Sequence, residues 1–124
     1  MKINCFKDCE VWQLAKELLP EIYSITDKFP REEKFIFVSQ MKRAALSITS
    51  NVAEGWGRFH YLSKINFFYI ARGSIEELKS QTIIAKNLNY IDKVAFEDLM
   101  KKINKIGVKL NNLINRTRKM HSPK

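Results

Sequence analysis

Lys101, Lys102, Lys105, Lys109, Arg116 and Lys119 are the residues of this 124-residue chain whose type and spacing carry the most chemistry. On a helix turning about 100° per residue they share one face, spread over about 100° of it. Ammonium and guanidinium groups held in such a row attract phosphate oxygens, and each phosphate they neutralise releases condensed counterions. The charge behind the row is uneven: of a net +9, residues 91–124 hold +6 whereas residues 1–30 hold −1. From Leu99 onward eight bases meet no acid. The expected partner is therefore an anion, RNA or DNA foremost, bound through its backbone. Nothing in the row reads base sequence, although Trp56, Phe59, His60 and Tyr61 are aromatic groups able to stack on unpaired bases. A plainer role stands beside this one, because a basic last helix also complements its own dipole and aids solubility.

Catalytic groups are sparse. Arg116 and His121 form an R-x(4)-H pair, the spacing used by some helical ribonucleases of the HEPN type, in which the imidazole would be the general acid or base and the guanidinium the phosphate clamp. His121 falls in a stretch expected to fray, and the spacing arises easily by chance in a basic segment. Cys5 and Cys9, four apart beside a predicted helix start, would make a strained disulfide, and a zinc site would have to gather them with the distant His60 and His121. Both thiols are expected to be reduced and partly buried. There is no E-x-x-H pair for a di-iron bundle, no glycine-rich phosphate loop and no nucleophile with a plausible local base. The reading is a binding and assembly protein with no catalytic residue, no metal and no cofactor; the alternative is a protein-only scaffold whose protein partner recognises the assembly rather than nucleic acid, and the remote alternative is an Arg116–His121 ribonuclease.

The elements that must position these groups are helical. Val11, Ala15, Leu18, Ile22, Ile25 and Phe29 form the stripe of a helix predicted over 7–28, with a kink at Pro20. A second helix, 32–54, carries Val38, Met41, Ala45, Ile48 and Val52, with Glu32 and Glu33 suited to its first turn. A third, 63–87, carries Phe68, Ala71, Ile75, Leu78 and Ala85, and a fourth starts at a capping Asp92 with Phe96, Leu99, Ile103, Ile106, Leu110 and Leu113 as its seam. No segment alternates with the period of a strand. A chain of this length buries roughly two-thirds of its unfolded surface, enough for a core without staples. The fold class predicted is all-α: an up-down-up-down antiparallel four-helix bundle, one domain over 1–120 with a flexible tail at 121–124. With no long apolar run and no signal-peptide pattern at the start, the expected location is cytoplasmic and the expected partners include no membrane.

Helix 2 carries a second row, Gln40, Arg43, Ser47, Ser50 and Glu54, bordered by Asn51 and placed by the helical wheel opposite the apolar stripe. It reads either as solvated surface or as a second contact surface. Gly55 is expected to end the helix in the left-handed conformation, and Gly57 to let the chain turn around Trp56.

Five motifs occur in order: F-x(4)-V-W-Q-x-A from Phe6 to Ala15, I-Y at Ile22-Tyr23, F-P-x-x-E from Phe29 to Glu33, Q-x-x-R-A-A-x-S-I-x-x-N-V-A-E-G-x-G-R from Gln40 to Arg58, and I-A-R-G-S-x-x-E-L from Ile70 to Leu78. Together they resemble the four-helix-bundle proteins of the 23S rRNA intervening-sequence family over nearly the whole chain. Thr82, where leucine is usual, and Asn89, where glycine is common, depart from the pattern. The resemblance implies a bundle assembled as a cyclic homopentamer. It also implies kinship with accessory subunits of diversity-generating retroelements, which engage a reverse transcriptase and nucleic acid. With that implication, Gln40, Arg43, Ser47, Asn51, Glu54 and Gly55 on helix 2, and Arg72, Ser74 and Glu77 on helix 3, read as packing and subunit contacts. Arg43, Asn51, Glu54 and Arg72 are expected to form one hydrogen-bonded set within or between subunits.

Overall fold

The computed structural model describes residues 5–121. A 3-10 turn at Phe6–Asp8 leads into α1 (Glu10–Thr26), a second 3-10 turn at Arg31–Glu33 precedes α2 (Phe37–Gly57), and α3 (Tyr61–Asn87) and α4 (Lys93–His121) complete an all-helical chain. Consecutive helices pack side by side, and α4 returns against α1. The described residues contain no strand. Every stripe residue predicted for α2 and α3 is buried, as are Leu99, Ile103, Ile106, Leu110 and Leu113 of α4. In α1, Val11, Ala15, Leu18 and Ile22 are buried while Ile25 packs at the edge of the core. The helical spacing thus converts directly into one core running the length of the bundle.

The boundaries carry the corrections. α2 starts at Phe37, five residues later than the helix pattern suggested. Phe29, Phe37 and Tyr90 cluster at this end with ring centroids 5.1–6.0 Å apart, and the Tyr90 hydroxyl donates to Glu33 at 2.7 Å. Glu33 is thereby drawn toward the α3–α4 connection, and residues 31–33 make a 3-10 turn instead of the first turn of α2. α1 runs through Pro20 without a break. At the start of α4, Asp92 caps as expected, its Oδ1 accepting the Ala95 N–H at 2.8 Å. α4 then extends through His121, where the sequence placed the beginning of a tail; 122–124 lie outside the described residues.

Asn89 explains one departure from the family pattern. It has φ 62°, the conformation in which glycine is free and asparagine tolerated. The N–H of Tyr90 bonds the carbonyl of Ala85, and that of Asn89 bonds Lys86, so the last carbonyls of α3 are satisfied in the double-bonded C-terminal motif that needs a left-handed residue. Thr82 is fully buried and returns its hydroxyl to the Leu78 carbonyl at 2.7 Å, which satisfies its polar atom inside the core.

Gly55 does something else than end a helix, and Gly57 is the last residue of α2. Gly55 lies inside α2, and neither glycine has a positive φ. Gly55 is buried because a Cβ there would sit 2.6 Å from Cε1 of Phe68 and 3.1 Å from the Lys64 carbonyl. It lets α3 approach α2 closely. The termination is supplied instead by Lys64, whose Nζ donates to the carbonyls of Gly55 and Trp56 at 2.9 Å each. Both cysteines are free thiols, Cys9 buried and Cys5 half-buried.

Candidate nucleic-acid interface

The six bases predicted for one face of α4 divide into two groups. Lys102 donates to Glu21 at 2.7 Å and lies 3.2 Å from Asp98; the bonds to Glu21 first and Asp98 second hold its pKa above the usual lysine value. Lys109 pairs with Glu10 at 3.3 Å. These two therefore tie α4 to α1, so the shared face is not one uniform row of cations left to bind a partner. Lys101, Lys105, Arg116 and Lys119 are exposed and have no acidic partner within 4 Å among the described residues. At about 100° per residue they occupy a sector about 60° wide, and from Lys101 to Lys119 it runs about 27 Å along the helix. Arg118 lies on another side: it bonds the Tyr69 hydroxyl, and its guanidinium and that of Arg72 lie 5.3 and 5.0 Å from the Tyr69 ring centroid.

The second row, on α2, is not wholly opposite the core. Ser47 Oγ meets Ser74 Oγ of α3 at 2.8 Å, and Asn51 Nδ2 donates both to Ser47 Oγ at 2.9 Å and to the Ser47 carbonyl at 2.8 Å. These small residues form a polar seam between two closely packed helices. The four-residue set expected around them does not close within the chain. Glu54 pairs with Arg58 at 3.0 Å, and Arg72 reaches across to Asn111 of α4 at 3.4 Å. Arg43 and Gln40 are exposed, and Glu77 accepts from Gln81 at 3.4 Å.

The 23S rRNA-intervening sequence protein model matches residues 7–112. The chain belongs to this family. A crystal structure of a protein of unknown function from the S23 ribosomal protein family of Bacteroides thetaiotaomicron is similar in fold, with a TM-score of 0.78 and 22% sequence identity over 85% of this chain and 95% of that one. No curated protein matches.

In this member of the intervening-sequence family the described residues leave a concavity at the end of the bundle formed by the α2–α3 connection and the last turns of α4. A groove of about 860 Å³ lies there, walled by Phe6, Trp56, Tyr61, Phe68 and Met120 among others and bordered by Lys64, Arg116 and His121. Among the described residues its lining contains no acid. Tyr61 and His121 stack parallel, with centroids 3.8 Å apart and planes 1° from each other. Trp56 is half-buried and packs against the core, whereas Phe59 projects into solvent at 92% exposure. Burial lowers the pKa of Lys64 from the ordinary lysine value. The two residues of the R-x(4)-H pair border the same groove. Sequence spacing alone missed Lys64 and the α1 partners of Lys102 and Lys109. The net negative charge of the first quarter was the available signal for the latter, since an antiparallel α1 brings Glu21 and Glu10 alongside them in turn. No described helix is long and apolar enough to cross a membrane, and no group of three or more potential metal ligands converges among the described residues.

Proposed function

We propose that this protein is a cytoplasmic, non-enzymatic nucleic-acid-binding bundle that works as a homo-oligomer. The observation that supports the binding is the strip of cations on α4 that have no acidic partner among the described residues: Lys101, Lys105, Arg116 and Lys119 are exposed, while the neighbouring Lys102 and Lys109 pair with acids of α1. Free cations along one side of a rigid helix engage successive phosphates without regard to sequence. In the five-membered ring expected for the family, the strip repeats with every subunit and weak contacts add through avidity.

Self-association draws support from the outer side of α3. Leu62, Ile70 and Ile84 are exposed by 76%, 44% and 45% on one helical row, and Gly73 falls between the last two with nothing within 4 Å of an added Cβ. In an isolated bundle Gly73→Ala raises stability by about 0.5–1 kcal/mol, because it restricts the unfolded chain and improves helix propensity. A second copy packed on this face reverses the sign. Thermal melts of parent and variant, with masses by light scattering, decide: a stabilised variant whose mass matches the parent removes α3 from the subunit contact.

The binding reading is tested by titrating the parent protein into labelled structured RNA, single-stranded RNA and duplex DNA over a salt series. Affinity that falls linearly in log salt supports it; no binding to any of the three at low salt overturns it. The shared groove of Arg116 and His121 favours a second reading as a ribonuclease. RNA shortened on a denaturing gel, and spared by His121→Ala, would establish that one instead.

A further inference from the structure

We propose that the groove at this end of the bundle holds one unpaired base of a single-stranded nucleic acid, with its phosphate on Arg116. This rests on the phosphate-binding reading of α4 and adds to it a site that distinguishes single strands from duplexes. Two properties of the groove select the occupant. Among the described residues the lining offers the cations Lys64 and Arg116 and no carboxylate, and its walls are aromatic and apolar. An anion with a flat, weakly polar ring satisfies both, whereas a simple phosphate leaves the aromatic walls in water and a neutral apolar ligand leaves Arg116 unused.

Three further features favour a nucleotide. Tyr61 and His121 already lie in parallel contact, so the imidazole presents a ready face on which another ring extends the stack. The carbonyls of Gly55 and Trp56 at the end of α2, which would repel an anion, are covered by Lys64 Nζ. Arg116 belongs both to the groove lining and to the exposed strip of α4, so a strand laid along Lys101, Lys105 and Lys119 meets the groove without leaving the cations. A paired base has both its faces stacked and cannot enter.

The test uses the full chain and four labelled probes of equal length: oligoadenylate as RNA and as DNA, the DNA strand with abasic sites, and a blunt duplex. Anisotropy at several salt concentrations gives affinity and salt slope for each. The expected result is that intact single strands, as RNA or as DNA, bind about tenfold or more tightly than the abasic strand or the duplex. Tyr61→Leu should abolish that preference, read as the ratio of intact to abasic affinity within the variant itself. Because Tyr61 is half-buried, His121→Leu, at an exposed position on the last turn, serves as the second variant and should reduce the preference in the same direction. Equal binding of all four probes with a normal salt slope overturns the groove while leaving the phosphate strip intact. Absence of binding to every probe overturns both. A second copy seated in the groove would appear as loss of oligomer mass in Phe59→Ser with no preference among probes, and that too overturns the proposal.

Discussion

A Phe68→Ala variant is expected to lose about 3–5 kcal/mol of stability, a large share of the roughly 5–15 kcal/mol that holds a domain of this kind folded. The ring is 1% exposed, between α2 and the interior face of α3, and it also forms part of the wall of the end groove. Truncation removes its transfer free energy and leaves a space that the backbone of two closely spaced helices cannot collapse to fill. Thermal denaturation followed by circular dichroism should place the midpoint roughly 10–20 °C below the parent. A fall of only a degree or two would mean that α2 and α3 are not held together at this point.

The same contact can be overfilled from the other side. Gly55→Ala gains up to about 1 kcal/mol in helix propensity. Its new methyl group, however, would lie 2.6 and 2.8 Å from two Phe68 ring atoms and 3.1 Å from the Lys64 carbonyl. Overpacking of this kind costs about 1–3 kcal/mol, and the backbone carbonyl cannot rotate away as a side chain can, so the net effect is destabilising. Combining it with Phe68→Leu should restore part of the loss, because the leucine withdraws the atoms that the methyl group strikes. The double variant is then more stable than the sum of the single effects, and strict additivity would show that the two positions do not touch.

These positions show what periodicity reveals and what it leaves out. The apolar stripe of every helix was legible, since residues three and four apart must share a face and a bundle has one interior. Asp92 was legible for a related reason, because capping is local chemistry. Gly55 was visible as a glycine in a motif, yet its role depends on a phenyl ring thirteen residues later on another helix. The α2 termination escaped notice because its donor, Lys64, comes from α3. On α4 the basic face was evident from the wheel, but only the tertiary arrangement separates cations that α1 neutralises from those left to bind something else. Family resemblance supplied motifs whose polar members then proved to differ in kind: Ser47, Asn51 and Ser74 form one seam, while Arg72 turns to α4.

That separation gives the binding proposal its sharpest test. Lys101→Glu/Lys119→Glu and Lys102→Glu/Lys109→Glu change the net charge equally on the same helix, but only the second pair have acidic partners among the described residues. The first pair should lower affinity for single-stranded RNA about a hundredfold or more at moderate salt and flatten the log–log salt slope by roughly 1–2, with the melting temperature essentially unchanged. The second removes the links to Glu21, Asp98 and Glu10 and places like charges against those carboxylates, so its melting temperature falls. Its effect on RNA affinity should be distinctly smaller, since those ammonium groups face α1. Long-range attraction depends on total charge and is screened beyond a Debye length, whereas a phosphate in contact responds to the particular cation it touches. Equal losses of affinity in the two variants, with equal slopes, would reduce the strip to general basicity; unequal losses in the expected order place the phosphate backbone on the outward side of α4.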